Sequence, residues 1–420
     1  MNLMLLDTNF NAVSVIDTYE SFIWTDRYNG CGDFELYMPV SSDILSSVKR
    51  GYYIESANSE HAMIVESIKI NSDSETGNHI TITGRSLESI LDRRVIWGSM
   101  SVSGTVQKCI RSLVDACIIN PSKSERKIAN FIFETTDDPL INEETINAQY
   151  NGNNLLDVIT AICKEKNIGF KIVFDANYNF VFKLYRGEDR SYDQSENPYV
   201  VFSPSFDNLL NSNYLEEDSS FKNVVLVGGS ENDNGERMYS AVGDVEGLAR
   251  RELYVDASDI QRNSLIVTKD TMQEIITKQS EGMSVKTISE ELNLPEVVVQ
   301  TIIGLVGDLG IDISGELTDE AYTDVTNALG EENESLTQDE YKQMLWQRGN
   351  ETLTDHKDST CFEGECETTS TYVYGVDFFI GDIVQIENEY GHQAKARVTE
   401  FVISDNTSGS STYPTFETIK

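Results

Sequence analysis

Two stretches at opposite ends of the chain repeat one pattern of apolar and polar positions. In residues 378–403, FFIGDIVQIENEYGHQAKARVTEFVI, the apolar Ile383, Val384 and Ile386 follow Gly381-Asp382. A polar run over residues 387–393, with Gly391, then intervenes before Ala396, Val398 and Val402. Alternating apolar positions around a glycine-bearing polar turn predict an antiparallel hairpin. Near the start, Gly51-Tyr52-Tyr53-Ile54, a polar turn at 55–61 and Ala62-Met63-Ile64-Val65-Glu66-Ser67-Ile68 run in the same order. Laying Glu66 on Glu400 sets Ala62 on Ala396, Ile64 on Val398 and Ile68 on Val402, with four extra residues in the later turn. Turns are where insertions are best tolerated, so the pattern points to an internal duplication. Against it stands the similarity of any two amphipathic hairpins.

The rest of the chain reads in blocks. Strands are predicted at residues 3–6, 21–28, 34–39 and 79–83, with a helical turn at 41–49 and helical spacing at Leu87, Ile90 and Leu91. Residues 1–99 are thus a small antiparallel β-module, read as a barrel. From Ser101 the period becomes helical: Val106, Ile110, Leu113 and Val114 share a face, with Ser103 as the expected cap. Leu155, Val158, Ile159 and Ile162 form a second amphipathic helix introduced by Asn153-Asn154, and residues 170–174 and 180–185 form a hairpin. This is an α+β domain ending near Pro204. Strand pattern resumes at 224–227 and 250–256. Residues 270–345 are helical and acidic, with 17 Asp and Glu against three Lys. Three short helices are marked there by Ile275/Ile276, by Val285/Ile288/Leu292 and by Val297/Val298/Ile302, broken at Gly282 and at Asn293-Leu294-Pro295. A last helix is expected at 341–353. β-pattern on both sides makes this segment an insertion within one domain.

At 420 residues and 39% hydrophobic content the chain has material for several packed cores. Its start lacks a basic region and a cleavage site, and no run has the apolar length of a membrane helix. The expectation is therefore a protein kept in the cytosol or released without a signal peptide. Six scattered cysteines predict free thiols. Seventy acidic residues against 32 basic ones give a net charge of −38. Such a surface repels nucleic acid, which binds through Lys and Arg that displace phosphate counterions. Charge of this sign serves solubility in general, and suits a surface that must lie beside DNA without holding it.

No motif selects a chemistry. Residues 281–303 have the layout of a helix-turn-helix, but the second helix offers only Glu296, Gln300 and Thr301 where a DNA reader needs Arg, Lys, Asn or Gln. A protein-contacting or spacer bundle fits better. Cys361 and Cys366 form a C-x4-C pair with His356 nearby, short of the four ligands zinc requires. His61, His79, His356 and His392 each lie in or beside a predicted turn, where solvation is the default. Gly228-Gly229 lacks the third glycine and the helix of a dinucleotide loop. Nucleophile elbows and H-E-x-x-H are missing, and abundant Asp and Glu leave a glycosidase-type carboxylate pair possible by count alone. No catalytic, cofactor-binding or metal-ligating residue is assigned.

A run of longer segments adds a resemblance. LDTNFNAVSVIDTYESFIWTDRYNGCGDFELYMP, GRSLESILDRR, NLLDVI, VVFSPSFDNL, NVVLVGG, RRELYVD and YGVDFFIGDIVQI occur in an order that resembles the tail-tip hub proteins of long non-contractile-tailed phages. That family is similar to the baseplate hub of contractile-tailed phages and to the N-terminal part of tail-associated lysins. The resemblance covers nearly the whole chain except the acidic insertion. It implies an α+β multidomain fold: a first β-barrel tube domain at 1–99, an α+β domain at 100–205, and a related second barrel at 206–268 with 346–420. The acidic insertion at 269–345 interrupts that barrel. It further implies a homotrimer whose six barrels form a pseudo-sixfold ring at the virion's tail tip, assembled in the host cytoplasm. Its partners would be the tube or distal tail protein, the tape-measure protein and a tip or fibre protein, with DNA passing through and no sequence-specific nucleic-acid binding or membrane insertion.

Tail-associated lysins continue into a hydrolase domain, whereas this sequence stops just after the second β-pattern. The expectation is a structural protein without lytic activity or a cofactor. Two other classes stay open: a tail-borne cell-wall hydrolase, which zymography on peptidoglycan would reveal, and a regulator acting through residues 281–303, which salt-dependent duplex binding would reveal.

Overall fold

The computed structural model describes residues 2–57, 59–73, 77–209, 211–231, 235, 237–260, 269–292, 294, 296–311, 317–356, 359–365, 371–388, 390 and 393–419. In chain order the opening part holds β1 (Leu3–Leu6), β2 (Ala12–Ile16), β3 (Ser21–Arg27), β4 (Asp33–Pro39), α1 (Ser42–Ser47), β5 (Tyr53–Ser56), β6 (Ala62–Asp73), β7 (Gly77–Ser86) and α2 (Ser89–Asp92). Next come β8 (Ser99–Thr105), α3 (Val106–Val114), β9 (Phe131–Glu134), α4 (Pro139–Glu143), β10 (Thr145–Asn151), α5 (Leu155–Glu165), β11 (Gly169–Phe174), β12 (Phe180–Tyr185) and β13 (Val201–Phe202). The rest is β14 (Asn211–Glu217), β15 (Val224–Glu231), β16 (Arg237–Val242), β17 (Glu252–Asp256), α6 (Lys269–Ser280), α7 (Val285–Leu292), α8 (Glu296–Asp308), α9 (Asp319–Thr354), β18 (Ser359–Glu365), β19 (Ile383–Glu387), β20 (Gln393–Asn406) and β21 (Gly409–Thr418).

Both predicted hairpins form, β5 with β6 and β19 with β20, each antiparallel. They belong to one 13-stranded mixed sheet whose path runs β14-β18-β21-β20-β3-β4-β7-β6-β5-β1-β2, with β19 on β20 and β13 on β19. Three small sheets accompany it: β8 with β10, β9 with β11 and β12, and β15 with β16 and β17. The fold is α+β, as expected. The expectation of two closed barrels is not met, because among the described residues this path is open at both ends. The two halves of the sheet join each other instead: β20 pairs along β3, with Glu400 opposite Arg27 and Asn406 opposite Ser21.

The path contains the same five strands twice. β3-β4-β7-β6-β5 and β14-β18-β21-β20-β19 are consecutive antiparallel neighbours. A line across the first set reads Trp24, Phe34, Gly84, Val65, and the same line across the second reads Tyr214, Phe362, Phe416, Val398. The register breaks at one equivalent point in each, between Val65 and Ser67 and between Val398 and Glu400. A β-bulge sets strand bend and twist, so sharing its position fixes more than sharing a strand order. The strand entrances agree too. Gly51, at φ +84°, donates its N–H to the Val65 carbonyl at 2.7 Å, while the Val65 N–H donates to Tyr52 at 2.8 Å. Gly381, at φ +94°, does the same to Val398 at 2.8 Å, and the Val398 N–H donates to Asp382 at 2.9 Å. Glycine occupies this left-handed backbone without the penalty a Cβ brings.

This equivalence corrects the alignment drawn from sequence by one residue: Val65, not Ile64, lies on Val398, and Glu66 lies on Thr399. The two glutamates that suggested the match are a coincidence of spacing. A second difference is where the copies diverge. β3 and β4 are joined by residues 28–32, while the equivalent β14 and β18 are separated by residues 218–358, which hold β15–β17 and α6–α9.

Alternation places the cores. Phe22 and Trp24 on β3, Phe34 and Leu36 on β4 and Ile80 and Ile82 on β7 are all buried in one cluster inside the opening module. A second cluster gathers Tyr28, Phe202, Val384, Val398, Phe401 and Phe416 in the closing module. A third, larger one joins Ala62, Ile64 and Leu91 to α3, α5, β11 and β12. Within residues 218–358 there are two further clusters. One lies under Val225, Val227 and Leu345; the other is formed by Met272, Ile288, Ile302 and Val325 among α6–α9. The three short acidic helices read from sequence are α6, α7 and α8, but the last one is far longer than expected. α9 is a single 36-residue helix through residues 345 and 346, so its end packs on β10, β15 and α5 while its start closes the acidic bundle.

The expected cap of α3 is also displaced. Ser103 is a strand residue opposite Asn147, and Thr105 Oγ1 accepts the Lys108 N–H at 3.3 Å. Thr105→Ala is expected to cost about 1 kcal/mol of local stability, and Ser103→Ala less than about 0.5 kcal/mol. Hydrogen-exchange protection of the α3 amides checks the contrast. Asn154 caps α5 as read, accepting from Leu156 N–H at 2.9 Å.

Candidate functional site: buried polar junctions and open strand edges

Ionisable groups buried in the molecule sit where its parts meet. Asp26, only 1% exposed at the end of β3, accepts from Trp24 Nε1 at 2.8 Å, from the Ser59 hydroxyl at 3.0 Å and from the Tyr374 hydroxyl at 3.2 Å. Tyr374 thereby ties the closing module to the opening one, and its ring stacks on Phe401. Burial raises the Tyr374 phenol well above its ordinary pKa, with the Asp26 charge adding to the effect. Close by, His61 Nδ1 lies 3.4 Å from Glu88 Oε1, which also accepts the Ile172 N–H at 2.7 Å. Burial would lower the His61 pKa, but Asp26, Glu88 and Glu60 outweigh it and raise it to about 9. Burial pushes the Glu88 carboxyl up, and bonding to His61 with its charge brings the net shift below the ordinary value.

Two more junctions follow the same rule. Asp382, beside Gly381, accepts Arg190 Nε at 2.7 Å, Glu188 N–H at 2.7 Å and Phe379 N–H at 3.0 Å, stapling residues 188–190 onto β19. Gly187 is required there, since a Cβ would run into the Gly381 backbone. On α9, Glu351 accepts the Tyr150 hydroxyl at 2.8 Å, and burial raises its carboxyl to about 7. Arg348, one turn earlier, pairs with Asp259 at 2.9 Å. In each case at least one partner comes from a segment distant in the chain, and bonding of this kind is how a buried charge is normally satisfied.

The residues singled out in sequence do not converge. His61 is 5% exposed and ion-paired rather than solvated, because β5 and β6 carry the turn between them against α2 and β11. His79 stacks on Tyr37 and lies 3.3 Å from Glu20. His356 follows α9 with Nδ1 3.1 Å from the Thr352 carbonyl. His392 and Cys366 lie outside the described residues; Cys361 is a strand position opposite Leu215 and Glu417. Among the described residues no three His, Cys, Asp or Glu side chains could share a metal ion. No helix among them is long and apolar enough to cross a membrane.

Gly228 and Gly229 stand mid-strand in β15, where a Cβ would strike the Tyr254 and Tyr341 hydroxyls respectively. They admit aromatic rings, not phosphates. The Tyr341 hydroxyl accepts from Ser230 N–H at 2.8 Å and donates to the Ile260 carbonyl at 3.1 Å. Gly229→Ala is expected to lower stability by about 1–3 kcal/mol by overpacking, seen as an earlier urea midpoint for the transition that includes β15–β17. In α7 and α8 the apolar residues Ile288, Val298 and Ile302 are core, while Glu296 and Gln300 are exposed.

What the fold leaves outward is backbone. β14 pairs only with β18, and over residues 67–72 β6 pairs only with β7, so each offers an unpaired ladder edge among the described residues. Such edges are templates for another strand.

A sequence profile of the Siphovirus ReqiPepy6 Gp37-like proteins matches residues 2–416. The chain belongs to that family. Its fold is shared with prophage tail proteins. Prophage tail protein gp18 from Listeria monocytogenes EGD-e superposes with a TM-score of 0.50 at 11% identity, covering 100% of this chain and 95% of that one. The 43 kDa tail protein of prophage MuSo2 from Shewanella oneidensis gives 0.51 at 11% identity, covering 99% and 98%. A tail protein from Neisseria meningitidis MC58 gives 0.50 at 10% identity, covering 99% and 96%. Curated proteins contain no match to the sequence. The resemblance drawn from sequence segments thus holds over the family and the fold.

Proposed function

We infer that this Gp37-like protein is a structural component of the phage tail, a hub at its tip rather than an enzyme. Three copies would close into a ring in which six related sheet units imitate sixfold symmetry. Its upper face would meet the tube or distal tail protein and its lower face the tip or fibre protein. The tape-measure terminus would be held within, and DNA would pass through the opening during ejection. The protein would join the virion during assembly in the host cytoplasm.

The observation that carries this reading is the duplicated five-strand unit with its shared bulge. One chain holding two equivalent wedges is a means of matching a six-membered ring with three subunits, and a cyclic trimer closes through heterologous contacts. The buried carboxylates Asp26, Glu88, Glu351 and Asp382 each bond to a segment distant in the chain, which supports a scaffold. The net charge of −38 suits a conduit that must not retain its cargo. We place the units at residues 1–99, 100–205, and 206–217 with 359–420, and treat 218–358 as carried between two strands of the last.

Mass photometry of the purified chain tests the ring: the expected peak lies at three times the chain mass. A monomer at every concentration, with labelled protein missing from the tail tip of imaged particles, would overturn it. A peptidoglycan-clearing band that follows the protein through purification would replace it with the hydrolase reading.

A further inference from the structure

In a chain of net charge −38, five cations gather beside the end of the β8–β10 pair without an acid to hold them. Arg93 and Arg94 follow α2, and Lys123, Arg126 and Lys127 belong to or flank the turn Ser124–Arg126. Arg94 Nε donates to the Arg126 carbonyl at 3.2 Å, and Arg126 Nη2 donates to the Val95 carbonyl at 2.6 Å. The Arg126 guanidinium lies 4.8 Å from the centre of the Trp97 ring, which is 62% exposed. Among the described residues none of the five cations forms an ion pair. Glu125 is the acid of the same turn and is exposed, while Asp92 is already bound to Arg85 at 2.9 Å. Burial, with Arg126 and Arg93 alongside, pushes the Arg94 guanidinium below its ordinary pKa. Like charges held together repel, and exposed Trp and Arg are the side chains that anchor protein contacts.

We propose that this basic patch docks the acidic α6–α9 bundle of a second copy of the chain. The inference requires copies to meet, and so rests on the ring reading. Charge complementarity selects the occupant. Residues 270–345 hold 17 Asp and Glu against three Lys. Glu281, Glu296, Asp308, Glu320 and Asp324 are exposed there and form no ion pair among the described residues. Geometry makes the contact one between copies. Trp97 stands two residues before β8, whose Ser99 pairs with Asn151, next to the Tyr150 that holds Glu351. From Glu351, α9 runs back along β10, past Gln343 at Asn147, towards the bundle. At the helical rise, Asp324 lies roughly 40 Å from Glu351, in the direction away from the patch. A chain therefore cannot lay its own bundle on its own patch, whereas a neighbour can. Between copies that repel overall, such a pairing fixes orientation as well as contact.

Zero-length carbodiimide cross-linking of the full chain tests it, because the reagent joins a lysine amine only to a carboxylate in contact with it. The expected result is bands heavier than one chain on a denaturing gel, whose peptides join Lys123 or Lys127 to a carboxylate within 270–345. These links should vanish in about 1 M salt, where the screening length falls to about 3 Å. Lys123→Arg with Lys127→Arg keeps the charge and removes the amines, so the linked peptides should disappear while mass photometry is unchanged. Arg93→Glu, at an exposed position that leaves both lysines in place, should lower their yield about fivefold. The same peptides confined to the single-chain band overturn the contact between copies. Multimers by mass photometry without these peptides overturn the docking and leave the ring standing; co-sedimentation of that protein with phosphatidylglycerol vesicles, lost in Arg93→Glu, would then give the patch to an anionic surface. A monomer at every concentration with no link between chains overturns both.

Discussion

Asp382→Ala is expected to lower the unfolding free energy of the closing module by about 3–5 kcal/mol, the cost of leaving a buried charge without its partner. The substitution strips Arg190, whose side chain is 10% exposed, of its 2.7 Å carboxylate contact and orphans the N–H groups of Glu188 and Phe379. Arg190 keeps Glu188, which is more than half exposed and cannot follow it inward. Asp382→Asn retains shape and one acceptor and should lose clearly less. Urea titration with proteolysis of residues 188–200 as the readout checks the ranking, since detachment of this strap from β19 is the first expected event.

The next largest effect is a pH dependence centred on His61 and Glu88. The His61 pKa is raised from 6.5 to about 9, so its contribution is complete below about pH 6.5 and is lost as pH rises through 9. Linkage sets that loss at about 3 kcal/mol. Glu88 is lowered, so its contribution is present above its ordinary value of 4.5 and falls away as pH drops through its folded value. Stability from this pair should therefore be greatest between about pH 4.5 and 6.5. A melting temperature that declines from pH 6.5 to 9 in the native protein, with a flatter profile in His61→Gln, is the expected result; parallel profiles would remove the pair from the account.

How much of this was legible in sequence depends on side-chain alternation. β4 buries every second residue and β3 does so as far as Trp24, and both announce themselves. β8 (SMSVSGT), β14 (NSNYLEE) and β18 (STCFEGE) do not, because a strand held mainly by ladder bonds can be made of polar residues. Missing β14 and β18 hid the repeat's full extent, and with it the loop that carries residues 218–358. The alignment slipped by one because the turns differ in length and the bulge is a backbone event with no residue signature; a one-residue shift exchanges the two faces. His61 was misread since its burial comes from distant β11 and α2. The buried junctions were invisible for the same reason: Asp382 and Arg190, or Asp26 and Tyr374, are neighbours only after folding.

Glu217 and Ser359 face each other across a ladder, so the long excursion between them leaves and rejoins the sheet at adjacent points. To the strands on either side, that appendage is indistinguishable from the short loop joining Arg27 to Asp33. Its size and sequence are thereby set not by that ladder but by the contacts the outgrowth makes elsewhere, chiefly α9 against β10 and α5, where Glu351 meets Tyr150.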